Sequence, residues 1–143
     1  LILFHSVILM VGGHYTYAEV PAGDWVRDLT GGDRNNYDKL GHLAQGFVPA
    51  IVVREILVRN YVVAKRSWLA VIVVSMCLAF SAFYELVEWW VALLSAEAAE
   101  SFLGTQGYVW DTQSDMFLAL LGAVLALLML SRIHDRQIRI VSA

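Results

Sequence analysis

The chain has 143 residues, 59% of them hydrophobic and 16% charged, with a formal net charge of −3 and a mean hydropathy of +0.61. Ordinary soluble domains are roughly 45–50% apolar, so these values direct attention to an integral membrane protein forming one domain over residues 1–143. No basic run suggests a nucleic-acid partner, and the single cysteine, Cys77, excludes a disulfide or a thiolate metal cluster within one chain.

Four apolar segments follow in chain order. The first covers about residues 1–13 and starts in mid-run at Leu1, which reads as a truncated helix preceded by further chain. It ends in "GGHYTYAEVP", where Gly12 and Gly13 close a helix and Pro21 stiffens a connection. Residues 14–36 read as an outer loop, with Tyr15 and Tyr17 as interfacial anchors. The second segment, 37–59, contains Gly46 and Pro49, which predict a bend, and closes on Arg54, Glu55 and Arg59. After a short loop at 60–67, the third segment, 68–95, carries no charge between Trp68 and Tyr84. A second outer loop, 96–108, leads into the fourth segment, 109–132, which is uncharged from Met116 to Ser131; residues 133–143 read as a tail. None of the runs alternates with a two-residue period, so strands are not expected. The predicted fold class is all-α: a multi-pass transmembrane helical bundle with about four membrane segments.

Charge sets the expected orientation. Arg59, Lys65 and Arg66 lie between the second and third segments, and Arg132, Arg136 and Arg139 follow the fourth, whereas the 96–108 loop has neither Lys nor Arg. The positive-inside rule then places loop 60–67 and the C-terminus in the cytoplasm and the outer loops in the bacterial periplasm. Trp25, Trp89, Trp90 and Trp110 fall near the outer interface and Trp68 near the inner one, as an aromatic belt requires.

Polar residues break the apolar pattern at one end of every segment. Asp38 and His42 open the second, Glu85 and Glu88 sit in "FYELVEWW" near the end of the third, Asp111 and Asp115 open the fourth, and His14 ends the first. Spacings of three and four put each pair on one helical face. Ionisable residues in membrane segments face the bundle interior and mark functional sites. Five carboxylates in one layer need compensation, by protons, by Arg34 or Lys39, or by a divalent metal, and helical bundles build oxygen-rich metal sites of this kind. Such ligands suit Zn, Mn or Fe. Each residue also has a plainer reading. Asp38 and Asp111 are acids at helix starts, where the dipole favours them, and His42 alone is an ordinary hydrogen-bonded interior histidine. That explanation fails for Glu85 and Glu88, which lie toward a helix C-terminus. His5 and His134, in mid-segment and tail, are not expected to take part.

The stretches "GGHYTYAEVP", "RNNYDKLGHLAQGFVPAIVVREIL", "FSAFYELVEWW" and "LGTQGYVWDTQSDMFLALLGA" resemble the YjdF-like bacterial inner-membrane family, a domain of unknown function, over about residues 9 to 136. The resemblance implies a multi-pass inner-membrane protein with additional helices before this stretch. It also implies polar motif positions at His14, Tyr15, Tyr17, Arg34, Asn35, Tyr37, Asp38, His42, Glu85, Glu88, Gln106, Asp111 and Asp115. Where the family tends to read Gly-Asp-x-Trp-Asp, this chain has Tyr108 after Gly107, so either an acid there is not an obligatory ligand or this member has altered chemistry.

Three functions fit. The first is a metal-dependent membrane hydrolase acting on a lipid or small amphiphile, with Asp38, His42, Glu85, Glu88, Asp111, Asp115 and His14 as metal ligands and Arg34 holding an anionic headgroup. The second is a non-catalytic accessory subunit of a larger membrane complex, whose partners are other membrane protein subunits as well as lipids. The third, a proton relay, is disfavoured because nothing polar continues from Leu118 to Leu130.

Overall fold

The computed structural model describes residues 1–94 and 108–141. They form five helices, α1 (Ile2–His14), α2 (Pro21–Thr30), α3 (Tyr37–Arg59), α4 (Arg66–Leu94) and α5 (Asp111–Val141), and no strand occurs among them. Three of these, α3, α4 and α5, are long and apolar enough to cross a membrane, with mean hydropathies of 1.3, 2.1 and 2.3 over their most apolar stretches, and α1 is a shorter apolar helix.

Two expected loops are partly helical. The connection 14–36 contains α2, which begins with Pro21 at its first turn and stops at Gly31 in the left-handed conformation (φ 67). Both are ordinary punctuation for a helix, but ten residues of mixed polarity carry no membrane-scale signal. The expected tail, 133–143, is helical as far as Val141, because α5 does not end where the hydrocarbon ends. His134 and Ile138 remain buried beyond Arg132, and side-chain bonds to α3 hold this extension. The third apolar segment, α4, starts at Arg66, two residues before the expected 68, where the Lys65 carbonyl accepts from the Trp68 and Leu69 amides at 3.0 and 3.2 Å. Of the expected loop 96–108, residues 96–107 lie outside the described residues, as does residue 95. Pro49 does not end α3, which is one helix through that point.

α3 is the central element: half of its most apolar stretch is buried inside the protein, against 17% for α4 and 22% for α5. Its closest partner is α5. Gly46 lies directly against the Ala119 backbone, and Gly122 lies against the backbone of Leu43 and Phe47. A methyl group at either glycine would overlap the neighbouring main chain. Around this crossing, Ala50, Ala119, Ala123 and Ala126 are fully buried. Lipid gives apolar helices no hydrophobic reason to associate, so small residues that bring backbones together supply the packing. Toward the end of the bundle that carries Arg54, a core of Val53, Leu57, Leu69, Val73 and Cys77 completes the contact with α4.

The remaining elements are pinned to α3 near its first residues. Thr16 and Tyr17 are left-handed (φ 54 and 55), a conformation uncommon outside glycine. It turns the Tyr17 ring into the space beside Gly12 of α1 and within reach of Gly41 of α3. The Tyr37 hydroxyl donates to the Ile8 carbonyl at 3.2 Å. All five tryptophans are exposed, as interface residues are.

Replacing Gly46 or Gly122 with leucine is expected to lower the thermal midpoint of the detergent-solubilised protein sharply, since overpacking costs about 1–3 kcal/mol. Gly13→Ala, where an added Cβ meets nothing within 4 Å, is the control and is expected to be neutral or stabilising by up to ~1 kcal/mol. Equal behaviour of the three variants would contradict the crossing.

Candidate metal centre

The core-facing stripe of each long helix changes chemistry along its length. On α4 the buried positions are Leu69, Val73, Cys77 and Ser81, and the next steps of four and three along the same face reach Glu85 and Glu88. On α5 the stripe runs Asp111, Asp115, Ala119, Ala123, Ala126, Leu130, His134 and Ile138. On α3 it runs Asp38, His42, Gly46, Ala50 and Arg54. Each stripe is thus acidic at one end and apolar or small in the middle, and α3 and α5 are ionic again at the far end. Sixteen residues from Asp38 to Arg54 and nineteen from Asp115 to His134 correspond to about 24 and about 28 Å of helix, close to the ~30 Å hydrocarbon thickness. The two ionic layers therefore sit near opposite interfaces.

In the acidic layer the α3–α5 crossing brings Asp38 and His42 beside Asp111 and Asp115, and α4 adds Glu85. His42 Nε2 lies 3.9 Å from Glu85 Oε1 and 3.8 Å from Asp115 Oδ2. These separations are too long for hydrogen bonds. His42 and Asp115 are buried, and the Glu85 side chain is only 9% exposed. His42 Nδ1, Glu85 Oε1, Asp115 Oδ1 and the fully buried Ser81 Oγ have no hydrogen-bond partner among the described residues. Tyr84 presents its ring edge-on to His42, with centroids 6.1 Å apart, and Gln45 and Thr112 lie beside His42 and Glu85.

Two sets of donors are ion-sized: His42, Glu85 and Asp115, and Asp38, Asp111 and Asp115, each with its ligand atoms within 4.8 Å of one another. Metal–oxygen and metal–nitrogen bonds of 2.0–2.2 Å set neighbouring donors roughly 3–3.5 Å apart, so the His42 separations of 3.8 and 3.9 Å exceed that spacing by a few tenths of an ångström. Of the seven residues expected as ligands, these sets gather five. Glu88 belongs to neither, although it interacts electrostatically with Glu85, Asp115, Asp111 and Asp38. His14 is exposed at the end of α1, packed edge-on against Tyr15 at 4.7 Å, and also belongs to neither set.

Arg34 enters the acidic layer. Its Nη2 donates to Asp38 Oδ2 at 2.8 Å, and its Nη1 reaches Asp111 Oδ1 at 3.4 Å. Lys39 Nζ donates to Ser114 Oγ at 3.3 Å, and both cations face the Tyr108 ring, at 5.5 and 4.9 Å from its centroid. Among the described residues two cations thus stand against five carboxylates. The expectation for the tyrosines divides: Tyr15 is exposed, whereas Tyr17 is half-buried and reaches Tyr84 and Glu88. Burial pushes the Tyr17 hydroxyl above its ordinary range, so it remains a protonated donor at the edge of the cluster.

Above the cluster, Asn35 holds α2 in place. Its buried amide donates to the Val20 carbonyl at 2.9 Å and to Asp24 Oδ1 at 3.2 Å, and its oxygen accepts from the Tyr37 amide at 3.1 Å. Gly23 is required here, since a side chain would overlap Asn35. Between α2 and the start of α3 lies a cleft of about 230 Å³ whose lining includes Val26, Arg27, Arg34, Tyr37 and Leu40.

Sequence reasoning missed the far ionic layer. Buried Arg54 bonds His134 Nδ1 at 3.0 Å and also donates to Asp135, whose other oxygen meets Arg66 at 3.1 Å. His134 Nε2 faces Glu55 Oε2 at 3.4 Å, and Glu55 pairs with Arg59 at 2.7 Å. His134 was legible: it continues, in steps of three and four, the stripe that starts at Asp115.

Three lipid-length helices around buried ionic residues define an integral membrane protein. The chain belongs to the family described as predicted membrane protein DUF2238, whose pattern matches residues 1–136. It is 58% identical over 139 residues to the inner membrane protein YjdF of Escherichia coli (strain K12), an alignment covering 97% of this chain and 66% of that protein. The chain therefore spans about two thirds of its relative's length, and an inner-membrane location follows from the relationship. No solved structure matches the chain.

Asn35→Ala is expected to release α2, raising amide hydrogen exchange across residues 21–30 while α3 and α5 stay protected. The buried partners left unsatisfied cost about 1–3 kcal/mol. Unchanged exchange in α2 would show that Asn35 does not hold it.

Proposed function

We propose that this protein binds a divalent metal between His42, Glu85 and Asp115 and uses it in hydrolytic chemistry on a lipid or small amphiphile at the periplasmic face. The observation that supports this is the spacing of buried donors. His42 stands 3.8–3.9 Å from two carboxylates, beyond hydrogen-bond reach but suited to sharing an ion. Buried polar groups are almost always paired, and a metal would satisfy Glu85 Oε1 and Asp115 Oδ1 together. One imidazole with carboxylates suits zinc, manganese or iron, and the charge imbalance of the layer favours a cation over further acids.

The protein's own residues would supply the rest. The cleft beside α2 is smaller than the roughly 300–1,000 Å³ of sites that enclose a whole ligand, so it suits a headgroup whose tail stays in the bilayer. Arg34 lines the cleft and also touches the acidic layer, so an anionic headgroup held there would lie beside the metal. Glu88, outside both ligand sets but electrostatically coupled to Glu85 and Asp115, would serve as a base for water. A bound metal supplies the polarisation that activates water.

Elemental analysis of protein purified in detergent without chelator tests this reading. The wild type is expected to carry near-stoichiometric zinc, manganese or iron, and His42→Ala and Glu85→Ala to lose it. A wild type without metal, even after soaking, would overturn the reading. The cluster would then be a proton-sharing lock, and the protein a non-catalytic subunit of a membrane complex.

A further inference from the structure

The two ion-sized sets share one residue. Asp115 belongs both to the His42–Glu85 set and to the Asp38–Asp111 set. A carboxylate has two oxygens and can bridge two cations, and paired metal ions in enzymes lie about 3.5–4 Å apart. Asp115 is 5% exposed, and its Oδ1 has no hydrogen-bond partner among the described residues.

The sets differ in what neutralises them. At Asp38 and Asp111, the Arg34 guanidinium is already in contact with both carboxylates, at 2.8 and 3.4 Å. At His42 and Glu85, no Lys or Arg ion pair is present among the described residues. A guanidinium fork matches carboxylates in shape and charge, and here it stands where an ion would stand in the other set.

We propose that Asp115 bridges two cation positions: one at His42–Glu85 that takes a divalent ion directly, and one at Asp38–Asp111 that Arg34 fills until a second divalent ion displaces it. The proposal rests on the metal-binding reading above and adds a second ion and an internal competitor. The second ion binds more weakly because it must displace a charge that already satisfies two of its ligands. Arg34 has somewhere to go, since it also lines the cleft between α2 and α3. Loading the second position would turn its guanidinium toward a bound anionic headgroup, making substrate capture depend on metal occupancy.

Titration of the detergent-purified full chain with Mn²⁺, read by calorimetry and by the spin-coupling signature of a manganese pair in EPR, tests this. The wild type is expected to bind one ion tightly and a second at least ~10-fold more weakly, with the coupled signal appearing only at the second. Arg34→Gln removes the competing charge and is expected to tighten the second ion by about tenfold or more while sparing the first. Asp111→Asn is expected to keep the first ion and lose the second, and thermal unfolding of each variant confirms its fold. One ion in the wild type and in folded Arg34→Gln overturns the bridged pair while leaving the metal-binding reading intact. No ion in any of them overturns both.

Discussion

Gly46 and Gly122 let the backbones of α3 and α5 touch, and the ionic contacts between these two helices are placed by that crossing. In water, two apolar helices would associate to remove surface from solvent. In hydrocarbon that drive is absent, and close packing of small residues takes its place. A stripe of Gly46, Ala50, Ala119, Gly122, Ala123 and Ala126 leaves one register in which the main chains interlock. That register carries Asp38 and His42 to Asp111 and Asp115 at one end and Arg54 to His134 and Asp135 at the other. A shift of one helical turn, 5.4 Å, would separate both groups.

The two ends solve the problem of buried charge differently. At the basic end the charges of the buried layer are paired: Arg54 with His134 and Asp135, Asp135 with Arg66, Glu55 with Arg59. Buried ions are tolerated when paired and bonded in this way, and the result is a tie among three helices. Among the described residues of the acidic end the carboxylates outnumber the cations, and His42 Nδ1, Glu85 Oε1, Asp115 Oδ1 and Ser81 Oγ have no hydrogen-bond partner. Buried polar groups are paired in the great majority of cases. A closed ionic layer at one end and an open one at the other thus lie on the same helices.

Much of this was legible in the residues. The lengths of α3 and α4, the absence of strands among the described residues and the polar pairs at Asp38/His42, Glu85/Glu88 and Asp111/Asp115 all follow from hydropathy and the 3.6-residue period. α2 was not legible, because an amphipathic helix of ten residues leaves no membrane-scale signal, although Pro21 and Gly31 marked its ends. The continuation of α5 past Arg132 was hidden because charges announce the membrane edge and not the end of the hydrogen-bonded helix. His134 was passed over for the same reason. His14, although it ends α1 on the acidic side, is exposed, because its place in the chain gives its depth and not its direction.

The sequence by itself determined the class of protein, which helices are long and apolar enough to cross a membrane and which end of each carries acids, since these depend on composition and on the face a residue occupies. Only the tertiary structure decided which acids share an ion-sized space, that Arg34 sits between Asp38 and Asp111, and that Glu88 and His14 stand outside both ligand sets. Helical periodicity gives each residue a face but not a partner. The partner is chosen by the rotation and register of one helix against another, and those are set by backbone contact at two glycines far along the chain from each other.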